Sequence, residues 1–119
     1  MAGWLDEARR AGGLVICAPV MVELLAHPGA TGEFVTRFLH DSGVQVDQQF
    51  SQRMWDETGR AFAAYAARRR RPSGGQPNRL LVDFMVGAHA LLATDQLLTL
   101  DAGRYSQDFP ELRLPAAPL

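Results

Sequence analysis

Three carboxylates stand where an alternating α/β chain usually carries its reactive groups, beyond the carboxyl ends of strands. Glu23 follows an apolar stretch of strand length, Leu14 to Ala18. Asp101 directly follows a second such stretch, Leu97 to Leu100, and Asp83 opens a helix between them. Glu23 is flanked by Met21, Val22, Leu24 and Leu25, and Asp83 by Leu80, Leu81, Val82, Phe84, Met85 and Val86. An ionised acid in such surroundings pairs, binds a cation or becomes protonated, because burying it alone is costly. Neither apolar run contains a basic partner. One divalent cation shared by Glu23, Asp83 and Asp101 would satisfy all three, and their hard oxygen ligands favour magnesium or manganese over zinc. Each acid also has a plainer role. Asp83 suits the positive end of its helix, Asp101 suits a turn in Asp-Ala-Gly, and Glu23 can pair with an arginine from elsewhere.

Other chemistries find less support in the chain. No HExxH or zinc-spaced Cys/His set occurs, and neither phosphate-binding glycine loops nor a G-x-S-x-G elbow is present. His89 lies on an alanine-rich helix and reads as a packed or hydrogen-bonded residue rather than a ligand, while His27 and His40 read as helix-end residues. The lone Cys17 excludes an intramolecular disulfide and reads as a small buried hydrophobe in a reducing compartment.

These groups need a scaffold, and the 119 residues, 47% hydrophobic and 21% charged, suit one soluble globular domain over residues 1–119. No apolar run approaches the roughly 20 residues of a membrane span, and Asp6 and Glu7 stand where a signal peptide would be basic and then apolar. A cytoplasmic location follows. Periodicity predicts a helix over Gly3 to Ala11, a strand over Leu14 to Ala18, and a helix from Pro19 through Leu25 that ends before Pro28-Gly29. Thr31 caps a third helix with Phe34, Val35, Phe38 and Leu39 on one side, followed by a brief Val44 to Val46 strand. Asp47 is the expected N-cap of a long helix whose apolar side reads Phe50, Met54, Thr58, Ala61, Phe62 and Tyr65. A loop from Pro72 to Pro77 leads to a helix through Leu81, Phe84, Met85, Ala88 and Leu92, and then to the Leu97 to Leu100 strand. Phe109 and Leu112 to Leu114 close the chain. Such alternation predicts a parallel sheet with helices on both faces.

Net charge is −1, yet its distribution is uneven. Residues 1–57 carry −4, residues 58–82 carry +6 with no acid, and residues 83–119 carry −3. Arg68, Arg69, Arg70 and Arg71, with Arg79 across the loop, would form a positive rim able to hold RNA phosphates. The competing role of the four consecutive arginines is a solvated helix end, where positive charge meets the helix dipole. The absence of lysine is equally explained by a GC-rich coding sequence.

The run LLVDFMVGAHALLATDQLLTLDAGRYSQDFPELRL, with the earlier LVICAPVMVELL, resembles the PIN-domain family and, within it, the VapC-like ribonuclease toxins of toxin–antitoxin pairs. The likeness spans nearly the whole chain. Its most specific part is D-F-x-x-G-A-H-A at a helix start, then L-L-T-x-D and, close behind, a tyrosine and Phe-Pro. The resemblance implies a metal-dependent endoribonuclease in which Glu23, Asp83 and Asp101 hold Mg2+ or Mn2+, with Thr99 as a supporting hydroxyl. It also implies an RNA substrate, a cognate antitoxin and a homodimer. One departure stands out: PIN domains of this type begin with a central strand bearing the first catalytic aspartate, and no such segment precedes Gly3. Asp6, on the Gly3 to Ala11 segment, does not replace it. The resemblance therefore implies an internal start, a fragment, or a degenerate noncatalytic relative that binds RNA or an antitoxin. A strand from a second copy could also fill the gap.

Overall fold

Short apolar runs punctuated by glycine and proline set the order of elements along the first part of the chain. The computed structural model describes residues 2–70 and 80–115. Helix α1 spans Ala2–Ala11, and Gly13, at a φ of 107°, makes the left-handed turn that leads into strand β1, Leu14–Cys17. Helix α2, Ala18–Leu24, carries a proline in its first turn, where the missing N–H costs nothing. The Thr31 hydroxyl accepts the Phe34 N–H at 3.1 Å and caps α3, Gly32–Asp41. Gly43, at a φ of 71°, then turns the chain into strand β2, Val44–Asp47. The two strands pair in parallel, Leu14 opposite Val44 through Cys17 opposite Asp47. The α2–α3 connection between them is the kind of helical crossover that parallel pairing requires.

Three further helices follow. Helix α4 spans Gln52–Arg69, α5 spans Leu81–Ala93 and α6 spans Ala102–Asp108. Their core is Ala61, Tyr65, Phe84, Ala88, Ala90, Tyr105, Phe109 and Leu112, with Phe62 and Leu97 packed against it. The expected stripe of α4 is found: Met54, Thr58, Ala61 and Tyr65 are its buried residues. Phe84 is fully buried, and its ring centroid lies 5.0 Å from that of Phe62 and 5.3 Å from that of Tyr65. The described residues divide into two compact units, one of residues 2–49 and one of residues 50–70 and 80–115. The class is α/β: among the described residues there are six helices and a two-stranded parallel sheet.

Several expectations are corrected. Asp47 ends β2 and accepts the Gln49 N–H at 3.0 Å, whereas Ser51 caps α4 through the Met54 N–H at 3.2 Å. Both residue types cap well, and the helix starts at the later one. Leu97–Leu100 forms no strand. The Leu97 N–H reaches the Arg113 carbonyl at 3.0 Å, a single link, and a strand persists only with a ladder partner. The side of α3 expected to be uniformly apolar is split: Val35 and Leu39 are buried, while Phe34 and Phe38 are exposed. The short α6 has no counterpart in the periodicity. The expected Pro72 to Pro77 loop lies outside the described residues.

Candidate carboxylate site and arginine cluster

Asp83 occupies the first turn of α5, the third residue of the helix, and is half-buried. Its Oδ2 accepts the Leu80 N–H at 3.3 Å. Leucine has no side-chain acceptor, so this is one half of a capping box. The plainer role expected of Asp83, serving the positive end of its helix, is therefore realised, and its carboxylate stays at the helix mouth rather than inside the core.

Asp101 caps the start of α6 from an exposed position. Its N–H donates to the Thr99 hydroxyl at 3.0 Å, and its Oδ2 lies 3.5 Å from Nε of Arg104. Both side chains of that ion pair are more than half exposed, so it is screened and weak. Thr99 positions the backbone of Asp101. Because Leu97–Leu100 is not a strand, Asp101 does not stand at a sheet edge.

Glu23 is exposed on α2, contrary to the apolar surroundings its neighbours in sequence suggest. The reason is that α2 buries none of its residues; Val22 beside it is 59% exposed. Glu23 belongs to the first unit, and Asp83 and Asp101 belong to the second. Among the described residues no three or more His, Cys, Asp or Glu side chains converge as a metal-holding group. A closed cage is thus not formed. Magnesium commonly needs less, one or two carboxylates with waters and substrate phosphates completing its shell. The carboxylate of Asp83 is half-buried and that of Asp101 exposed, so both are reachable by solvent.

The arginine cluster is reordered by a buried acid. Asp108, whose side chain is 1% exposed, takes the Arg68 guanidinium at 2.7 Å. Arg68 also lies over the Tyr65 ring, 5.9 Å from its centroid, while Arg60 donates to the Asp108 carbonyl at 3.2 Å. Arg68 therefore ties α4 to the end of α6, with its guanidinium engaged by Asp108. The Glu57 carboxylate, bonded to Arg60 at 2.6 and 2.9 Å, pushes the Arg60 guanidinium further toward its charged form. Arg69 ends α4 and Arg70 caps it; Arg71 and Arg79 lie outside the described residues. Nothing in the spacing pointed to Asp108, because its partner is 40 residues away in sequence.

His89 is buried, as expected of a packed histidine. Cys17 is 2% exposed, and burial pushes its thiol above the ordinary value. No helix among the described residues is long and apolar enough to cross a membrane. Comparison of the chain with family models, with curated proteins and with solved structures finds no match.

Proposed function

We propose that this chain is a PIN-like protein of the VapC-like type, directed at RNA and built to hydrolyse its phosphodiesters with Mg2+ or Mn2+, in a pair with a cognate antitoxin. The observation that carries this reading is the interlock between the two halves of the motif. Gly87 of D-F-x-x-G-A-H-A packs directly on Phe109 of the downstream Phe-Pro, so that a β-carbon at residue 87 would overlap the Phe109 ring. The segments that bear Asp83 and Asp101 thus share one core, with each carboxylate at a helix start and within reach of solvent.

Asp83 and Asp101 are the residues that would hold the ion, with Glu23 as the third acid that the family likeness implies. When bound, the ion lowers the pKa of a water and offsets charge developing on the phosphate. The protein's own part is positional. The Leu80 N–H fixes one oxygen of Asp83, and Thr99 fixes the backbone of Asp101. Arg69, Arg70, Arg71 and Arg79 are the cations proposed to hold RNA phosphates, a contribution that weakens as salt rises.

The test is incubation of the purified full chain with RNA, with and without Mg2+ or Mn2+, beside Asp83→Asn and Asp101→Asn. Metal-dependent cleavage lost in both variants is expected; cleavage that survives both rejects the assignment.

A second reading, a noncatalytic PIN-like protein that binds RNA or an antitoxin, is favoured by one observation. Asp83 serves as a cap, Asp101 has an arginine partner, and no three-donor group forms among the described residues. RNA binding without cleavage in the same assay distinguishes it.

A further inference from the structure

Asp108 closes α6 from within the second unit, its side chain 1% exposed. Two arginines of α4 hold it by different atoms. Nη2 of Arg68 donates to its Oδ1 at 2.7 Å, and Nη2 of Arg60 donates to its backbone carbonyl at 3.2 Å. Arg60 is itself braced by the Glu57 carboxylate, at 2.6 and 2.9 Å. Arg60 and Arg68 stand about 12 Å apart along the axis of α4, so the bonds reach Asp108 from separate points of one rigid helix. A single contact fixes a distance, whereas two directional bonds from separate points also fix tilt and rotation. An apolar pair often stabilises a buried site as well as an ion pair does, but it carries no such direction.

The opposite end of the same short helix is capped by Asp101. Asp101, Tyr105 and Asp108 recur at the spacing of one helix face, and Tyr105 and Asp108 are the buried residues of α6. The two aspartates are about 10 Å apart along the helix, so a tilt of about 10° about Asp108 carries Asp101 by about 2 Å. We infer that Asp108, held by Arg68 and Arg60, is the positioning residue of Asp101. It sets where that carboxylate stands relative to Asp83, whose helix packs on the same α4 through Phe84, Phe62 and Tyr65. The inference rests on the nuclease reading, in which a misplacement of about 1 Å costs on the order of a hundredfold in rate.

The test uses the full chain with the paired change Arg68→Met and Asp108→Leu, beside Arg60→Met, which alters an exposed arginine and leaves the ion pair intact. Two quantities are read in each: the backbone amide resonance of Asp101 in a heteronuclear correlation spectrum, and the dissociation constant for Mn2+. In the paired variant the unfolding midpoint stays near that of the parent and the Asp101 resonance moves. Its dissociation constant rises at least about tenfold, the scale of a lost outer-shell partner. Arg60→Met moves both quantities by less. A purely structural pair predicts otherwise, since resonance and affinity would return once stability is regained. An Asp101 resonance unmoved in both variants, or a stable paired variant that binds Mn2+ as the parent does, overturns the inference. If the paired variant unfolds, Arg60→Met carries the test. A parent that withdraws no Mn2+ refutes the nuclease reading, while the amide resonance still decides whether Asp108 places Asp101.

Discussion

The ring of Phe109 fills the space that a β-carbon on Gly87 would take, which welds α5 to the segment after α6. Alanine in a helix interior normally stabilises relative to glycine by about 1 kcal/mol. Here the sign reverses: Gly87→Ala overpacks the contact and is expected to destabilise by about 1–3 kcal/mol. Gly59, inside α4 with open space around it, is the control, and Gly59→Ala is expected to stabilise by up to about 1 kcal/mol. Urea unfolding of both variants checks the pair. Equal gains would show that the ring does not constrain residue 87.

Arg68 and Asp108 form a part-buried ion pair in the second unit. Arg68→Met takes from the buried Asp108 carboxylate the guanidinium that lies 2.7 Å from it, at an expected cost of up to about 3 kcal/mol. The double change Arg68→Met with Asp108→Leu is expected to recover most of that loss, since an apolar pair of similar size often serves as well. Thermal or urea unfolding of the single and double variants reads the coupling. A single variant as stable as the parent would place the pair at the surface.

Ser51, not Asp47, begins α4. Ser51→Ala is expected to cost about 1 kcal/mol, the usual loss of an N-cap. Asp47→Ala loses the turn bond to Gln49 but leaves the α4 cap in place, and is expected to cost less. The order of the two losses in chemical unfolding is the check.

Cys17 is expected to react slowly with iodoacetamide in the folded protein at neutral pH and quickly in denaturant, because burial disfavours its thiolate. The same cause gives a pH dependence. The folded chain holds the thiol proton more tightly than the unfolded chain, so this contribution is level below about pH 8.5, the ordinary thiol value. It then falls as pH rises toward the raised folded value. Cys17→Ala lowers stability at both pH 8 and pH 10 but removes this part of the decline between them, as urea unfolding at the two pH values would show.

Much of this fold could be read from the chain because its cues were local. Pro19, Thr31 and Gly43 act within one helical turn of themselves, and each stands where capping and turn chemistry place it. The α4 stripe was legible for the same reason: Met54, Thr58, Ala61 and Tyr65 repeat at helical spacing. What failed was decided at long range. Whether Leu97–Leu100 becomes a strand depends on a neighbour in the sheet, and whether Glu23 is buried depends on what covers α2. Leucine and methionine beside an acid record neither. Asp83 and Asp101 were legible as candidates from type and position, and their contacts with Leu80 and Arg104 are local, whereas the engagement of Arg68 by Asp108 follows from packing between distant segments.

The most direct measurement is a Mn2+ titration of the full chain followed by electron paramagnetic resonance, which reads free ion as protein removes it. Binding that is present in the parent and weakened in both Asp83→Asn and Asp101→Asn is the expected result. Parent and variants that withdraw manganese equally, or not at all, would contradict a catalytic ion held by these two aspartates.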